Sequence, residues 1–123
     1  MITHIDITGV GKFSPDDSIK AYIRKRVSGL DRFAPRKARG DIRADVKLSE
    51  HGTAGNKKYQ VEILLELHEK TVTAKATEST EMEAVDEVEQ KLSTQLRKYK
   101  EESVAHLAHR RVLSKFKRSF ARD

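Results

Sequence analysis

The residues that are best suited to ligand binding lie along one edge of a predicted helix. Lys91, Gln95 and Lys98 recur at steps of four and three, so at 100° per residue they line up beside the apolar stripe of that helix. Ammonium groups and an amide on one surface are donors that phosphate oxygens accept. The helix is acidic in its first half and basic in its second, which also complements the helix dipole. The edge is therefore both an ordinary helix face and a candidate phosphate-binding surface.

A second group of cations lies between positions 20 and 39, where the only acid is Asp31. Exposed helix faces usually mix both signs, with pairs four residues apart that offset one another. Because such pairing is scarce here, we interpret the cluster as a polyanion-binding surface in preference to a solubility feature. Its bases are Lys20, Arg24, Lys25, Arg26, Arg32, Arg36, Lys37 and Arg39.

The composition favours a single domain with a polyanionic partner. The chain has 123 residues, with 25 Lys and Arg against 19 Asp and Glu and a net charge of +6. This length suits one hydrophobic core. The absence of cysteine excludes disulfide and thiolate chemistry. No secretory segment or long apolar run is present, so a cytoplasmic protein without membrane contact is expected.

No catalytic constellation is recognisable. His106 and His109 have a spacing that a helix could use to hold a metal, but no carboxylate or thiol at a plausible position completes such a site. The glycines at 9–11 and 52–55 lack the strand and helix context of a phosphate loop. We therefore predict no enzyme activity, no metal, no cofactor and no small-molecule substrate.

Hydrophobic periodicity predicts the order strand, helix, three strands, helix. The first helix should have Ser14 as N-cap and Pro15 at its first position, and should stop at Pro35. The second should begin with a capping box of Thr80 and Glu83. The Gly-rich run 49–58 is predicted to be a mobile loop. The predicted strands are 2–8, 42–49, 59–67 and 71–76, and the second helix is 80–100.

This order predicts an α+β fold. The first two strands should be parallel and the rest antiparallel, giving a two-layer β-α-β-β-β-α domain with a four-stranded mixed sheet and both helices on one face. We assign the domain to residues 1–102. Residues 103–123 form a basic, loosely amphipathic tail, which could be a helix docked on the domain, an RNA-contacting tail or the start of a linker.

Three segments resemble the ribosome hibernation promoting factor family, also called ribosome-associated inhibitor A or ribosome-subunit-interface proteins. KLSTQLRKYK at 91–100 is similar to the family's K-L-x-R-Q-L-x-K-x-K ending. IDITG at 5–9 resembles the opening strand, and AVD at 84–86 resembles the A-I-D signature. The order and spacing of the three segments carry the resemblance, which covers residues 5–100.

The resemblance implies a fold related to double-stranded RNA-binding domains. It also implies a protein that binds the small ribosomal subunit in the channel of messenger RNA and tRNA and silences translation under stress or in stationary phase. It leaves open whether ribosomes are paired or only silenced. The family makes its contacts with basic residues on both helices, which carries over to Arg26, Arg32, Lys91, Gln95, Lys98 and Lys100. The further cations Arg24, Lys25, Lys75 and Arg97 complete the predicted set of rRNA-binding residues.

Two other functions fit the same residues. A generic double-stranded RNA-binding module would also be basic, but it would not prefer the small subunit over free duplex RNA. An interaction protein could use its open sheet face or its basic tail to bind an acidic protein partner. Salt-sensitive co-sedimentation with ribosomes that depends on intact RNA would exclude the interaction protein.

Overall fold

The computed structural model describes the backbone of residues 1–121 and the side chains of residues 1–103. The predicted element order is confirmed, with two short 3-10 segments, η1 and η2, added after the first helix. The elements are β1 (His4–Gly9), α1 (Asp17–Ser28), η1 (Gly29–Phe33), η2 (Arg36–Asp41), β2 (Arg43–Thr53), β3 (Asn56–Glu66), β4 (Thr71–Glu78) and α2 (Glu81–Ala121).

The four strands form one sheet in the order β1-β2-β3-β4. The pair β1 and β2 is parallel, and the other two pairs are antiparallel. Alternate residues of the central strands, such as Val46 and Ile63, are fully buried beneath Ile23 of α1 and Leu92 of α2. The predicted two-layer α+β fold is therefore confirmed, with one core between the sheet and the two helices.

The bounds of α1 differ from the prediction. Asp16 is the N-cap in place of Ser14, because its Oδ1 accepts a hydrogen bond of 2.9 Å from the Ile19 N–H. At the other end the helix stops at Ser28, next to Gly29, which has a low helix propensity. The tighter turns of η1 then continue the apolar stripe, so that Leu30 is buried and Phe33 is half-buried.

The predicted mobile loop at 49–58 is wrong. β2 and β3 continue to pair until Thr53 faces Asn56, and only two residues separate the strands. Gly52 makes this close approach possible because its φ is +96°, and a Cβ there would lie 2.3 Å from the Asn56 carbonyl oxygen. The glycines that suggested a loop instead allow a tight hairpin.

The predicted start of α2 is confirmed, whereas the predicted end is wrong. The Glu83 N–H donates to Thr80 Oγ1 at 3.2 Å, but the Glu83 carboxylate accepts from the hydroxyl of Ser79. The helix does not stop at Lys100 but runs to Ala121. No Gly or Pro interrupts this stretch, so the helix reaches about 60 Å in length at 1.5 Å per residue. The predicted packing of the tail concerns side chains beyond Ser103, which lie outside the described residues.

Within residues 1–121, neither helix has an apolar stretch of the length that the hydrocarbon core of a bilayer requires.

The packing of α2 gives a first prediction. Leu92 is fully buried at the centre of the core, so Leu92→Ala should lower the free energy of unfolding by about 2–5 kcal/mol. Thr94→Ala, an exposed change two residues away on the same helix, should change it by less than about 0.5 kcal/mol. Chemical denaturation measures both. Equal effects of the two changes would contradict the packing of α2.

Candidate nucleic-acid interface

α1 and η1 pack against one side of α2, and we call this line of contact the inter-helix seam. Near the start of α2, opposite charges face each other across the seam. Arg26 Nε lies 3.6 Å from Asp86 Oδ1 and 3.7 Å from Glu89 Oε2. The Tyr22 hydroxyl also donates to Asp86, and this hydrogen bond raises the pKa of Tyr22. The predicted RNA contact Arg26 is therefore already paired with two acids.

Further along α2 the seam becomes basic. The guanidinium carbons of Arg32 and Arg97 lie 4.7 Å and 4.5 Å from the ring centre of Phe33. Neither arginine forms an ion pair with a described side chain. Lys100 lies three residues after Arg97 and so occupies the same side of α2. We call Arg32, Phe33, Arg97 and Lys100 the basic half of the seam.

The acid next to Arg32 in the sequence is already paired. Asp31 Oδ2 lies 2.8 Å from the terminal ammonium of Met1, and its carboxylate is largely shielded from solvent. The backbone that carries Arg32 is held by Arg39, whose guanidinium donates to the carbonyls of Ala34 and Arg32 at 3.2 Å and 3.1 Å. The backbone at Arg32 is therefore held in place, and no described carboxylate forms an ion pair with its guanidinium.

The predicted row of Lys91, Gln95 and Lys98 has a different environment. This side of α2 faces β4, an edge strand of the sheet. Lys91 Nζ donates to the Lys75 carbonyl at 3.0 Å and lies 3.4 Å from the Glu87 carboxylate. Gln95 Nε2 donates to the Thr73 carbonyl at 2.9 Å. Two members of the row therefore bind carbonyls that an added strand could otherwise use.

A helix side chain also donates a hydrogen bond to a backbone carbonyl at the other edge of the sheet. Arg24 of α1 donates from Nη1 to the carbonyl of Ile5 in β1 at 3.3 Å. Arg24, Lys91 and Gln95 are thus three predicted RNA contacts whose polar groups bind edge-strand carbonyls. Sequence spacing places them beside the apolar stripes but does not show which backbone groups lie next to those stripes.

The remaining predicted residues do not form one surface. Lys75 projects from the open face of the sheet, away from the helices, and faces Glu62 in the register of β3 and β4. Lys25 is exposed in the last turn of α1. Lys98 lies seven residues after Lys91 and so lies on the β4 side of α2. Of the predicted residues, Arg32 and Arg97 meet at Phe33, and Lys100 lies on the same side of α2.

The open face of the sheet carries charges of both signs. Asp6 of β1 faces Asp45 of β2 in the register, and the next row places Glu62 between Lys47 and Lys75. A polyanion would meet carboxylates as well as ammonium groups there. The face is therefore a poorer phosphate-binding surface than the basic half of the seam.

Acids collect at the opposite end of the domain, around the start of α2. Glu81 shares a shallow groove with Asp16. Partial burial raises the pKa of Glu81, and the negative charges of Asp16 and Glu50 raise it further. Among the described residues no cluster of His, Cys, Asp or Glu could hold a metal ion. The predicted metal spacing of His106 and His109 lies outside the described side chains.

Comparison with known proteins identifies a family. The family model described as "Sigma 54 modulation protein / S30EA ribosomal protein" matches residues 5–103. The N-terminal domain of Protein Y from Thermus thermophilus has 26% sequence identity and a TM-score of 0.65, with 80% of this chain and 99% of that chain covered. A ribosomal subunit interface protein from Coxiella burnetii has 28% identity and a TM-score of 0.60, with 80% and 98% covered. No curated protein sequence gives a significant match.

The contacts at the β4 edge give a second prediction. Lys91→Met removes the hydrogen bond to the Lys75 carbonyl, so it should lower the free energy of unfolding by about 0.5–1.5 kcal/mol. Lys98→Met lies on the same side of α2, where no described hydrogen bond or ion pair involves Lys98, and should change it by less than about 0.5 kcal/mol. Thermal and chemical denaturation of both variants measure the difference. Indistinguishable stabilities would mean that the Lys91 contact does not hold the edge.

Proposed function

Because the chain belongs to the sigma 54 modulation protein / S30EA ribosomal protein family, we propose that it is a ribosome hibernation factor. It binds the small ribosomal subunit in the channel used by messenger RNA and tRNA, and it silences translation under stress or in stationary phase. The similar proteins from Thermus thermophilus and Coxiella burnetii support this proposal, since the second is named for the interface of the ribosomal subunits. Its place of action is the cytoplasm.

The observation that carries the proposal is the basic half of the seam. Arg32 and Arg97 come from different elements, meet at one ring, and have no carboxylate partner among the described side chains. Nearby positive charges repel each other, so the arrangement is most favourable when an anion lies against it. Ribosomal RNA offers phosphates at close spacing, and binding to them releases condensed counterions.

The proposed mechanism is occupancy, and it needs no bond-making step. A domain with one continuous core between a sheet and two helices keeps its shape when it binds. Placed in the channel, such a body excludes tRNA and messenger RNA by volume. Phosphate contacts would supply affinity, and the shape of folded RNA with its 2′-hydroxyl groups would supply selectivity.

Competition separates this function from the two alternatives. Labelled protein is bound to purified small subunits and challenged with free duplex RNA of equal nucleotide content. A hibernation factor stays on the subunit, whereas a generic double-stranded RNA-binding module transfers to the duplex. A protein that recognises an acidic protein partner would remain on subunits after their RNA is digested. A sucrose gradient of stationary-phase lysate shows which ribosomal fraction carries the protein, and a ribosome-dimer fraction would indicate pairing.

The basic half gives a third prediction. Arg32→Gln and Arg97→Gln should each weaken small-subunit binding and reduce the slope of log affinity against log salt by about 0.7–0.9. Lys47→Gln is the matched control, because Lys47 is an exposed cation on the open face of the sheet. Equilibrium co-sedimentation at a series of salt concentrations gives all three slopes. If Lys47→Gln lowers the slope as much as the arginine changes do, the basic half is not the contact surface.

The tail gives a fourth prediction. We expect that ending the chain after Glu102 preserves the fold and small-subunit binding but lowers affinity and flattens the salt dependence, since phosphate contacts are lost with their counterions. The cations removed are Arg110, Arg111, Lys115, Lys117, Arg118 and Arg122. Thermal melts of the full and shortened chains test the competing view that Val104, Leu107 and Phe116 hold the domain together. A large fall in melting temperature would support that view, and an unchanged salt slope would exclude the tail from the RNA contact.

A further inference from the structure

We propose that Phe33 is the positioning residue of a two-arginine clamp, in which the guanidinium groups of Arg32 and Arg97 bind phosphodiester groups of one RNA strand. Phe33 also continues the apolar stripe of α1 into η1. The inference deepens the proposed function and rests on it for the identity of the natural RNA, while the phosphate chemistry of the clamp can be tested separately.

Phe33 is suited to this role because the core holds its ring in place. The ring is half-buried and packs against the hydrophobic core, so part of its surface remains available to solvent-exposed groups. The guanidinium carbons of Arg32 and Arg97 lie over it at 4.7 Å and 4.5 Å. An aromatic face attracts a guanidinium and leaves the N–H donors at the edge of that group free for hydrogen bonds.

The clamp brings like charges together, and neither arginine forms an ion pair with a described carboxylate. The centres of the two guanidinium groups can be no further apart than the sum of their distances to the ring centre. Asp31, the acid next to Arg32 in the sequence, is paired with the terminal ammonium of Met1. Glu101, four residues after Arg97, is exposed and forms no ion pair with it. Attraction to the ring offsets part of the repulsion in the free protein, and a bound phosphate would remove the rest.

The two arms of the clamp come from elements that are themselves fixed. Arg97 is on α2, one residue after the fully buried Leu96. Arg32 is on η1, whose backbone is held by the two hydrogen bonds from Arg39. The backbones that carry the two arginines are therefore fixed before RNA arrives, and the Phe33 ring restricts the guanidinium groups, so less conformational entropy is lost on binding.

This geometry requires the planar guanidinium group of arginine, and the positive charge alone is not enough. A guanidinium presents parallel N–H groups that bind a phosphate at two oxygens, whereas a lysine ammonium acts as a point charge. Replacing both arginines by lysine keeps the number of charges and hence the counterions released. A change in affinity without a change in salt slope would therefore report orientation and not charge.

The test is a thermodynamic cycle of four proteins: the full chain, Phe33→Leu, Arg32→Lys with Arg97→Lys, and the combined triple variant. Binding to purified small subunits is measured below the lowest melting temperature, at several salt concentrations. We expect Phe33→Leu and the double lysine variant each to weaken binding roughly tenfold with the salt slope unchanged. The triple variant should bind as well as the double lysine variant, because Phe33 acts only through the arginines.

A matched control removes the other explanation, that Phe33 only stabilises the fold. Lys70 Nζ lies 5.0 Å from the ring centre of Tyr99, a half-buried aromatic residue of α2 that also packs against the core. Tyr99→Leu should lower the melting temperature as Phe33→Leu does but leave binding within twofold. If Phe33→Leu weakens binding equally with arginines and with lysines present, or if the double lysine variant binds as the full chain does, the clamp is rejected.

The same cycle on a short single-stranded RNA oligonucleotide separates the two proposals. If the Phe33 and arginine substitutions are non-additive in their effect on oligonucleotide affinity, but the protein does not bind small subunits, the hibernation function is rejected and the clamp is retained. Binding to small subunits without coupling on either RNA would retain the hibernation function and reject the clamp. Absence of binding to both would reject both.

Discussion

Burial of the sheet's single apolar face under both helices determines where every other group of this domain lies. Val46 and Ile63 of the central strands meet Ile23 and Leu92 of the helices in one continuous core. Once Leu92 and its neighbours are buried, the rotation of α2 about its axis is fixed. One side of α2 must then face α1 and η1, and the other side must face β4. The rotation of α2 therefore also fixes which element each polar residue beside the apolar stripe faces.

Because the rotation of α2 is fixed, its two sides face different elements and make different interactions. The β4 side supplies Lys91 and Gln95 to the carbonyls of the edge strand, which protects a sheet edge that could otherwise pair with another chain. The α1 side begins with Asp86 and Glu89 against Arg26, and it ends with Arg97 beside Arg32. The charge along the inter-helix seam thus changes from paired acids and bases to cations that are unpaired among the described side chains. The packing of α1 and η1 on α2 is continuous along the seam, and its basic half leaves Arg32 and Arg97 exposed. Surface ion pairs contribute little stability, so the core holds the helices and the charges can serve binding.

The sequence predicts the fold well, because the alternation of apolar and polar residues in the strands and the apolar stripe of α2 follow directly from which side chains are buried. It predicts boundaries less well, because Ser14 and Asp16 are both good caps and only packing around the turn selects Asp16. The hairpin at Gly52 is missed since a positive φ inside a strand and a flexible loop produce the same glycine signal. Among the candidate RNA contacts, sequence spacing identifies exposed cations such as Arg32 and Arg97. It does not identify Phe33 as their common neighbour, because that contact joins residues far apart in the chain.

The acids around Glu81 and the cations around Arg97 lie on the same helix, about 24 Å apart at 1.5 Å per residue. That separation exceeds the Debye length of roughly 8 Å at physiological ionic strength, so each end acts on its surroundings almost independently. The described part of α2 therefore has an acidic end near Glu81 and a basic end near Arg97. Within a Debye length of a polyanion, the negative charge attracts the Arg97 end and repels the Glu81 end, so first contact is favoured at the basic end. A negatively charged surface therefore favours one orientation of the helix over the reversed one, in which the acids around Glu81 would be repelled.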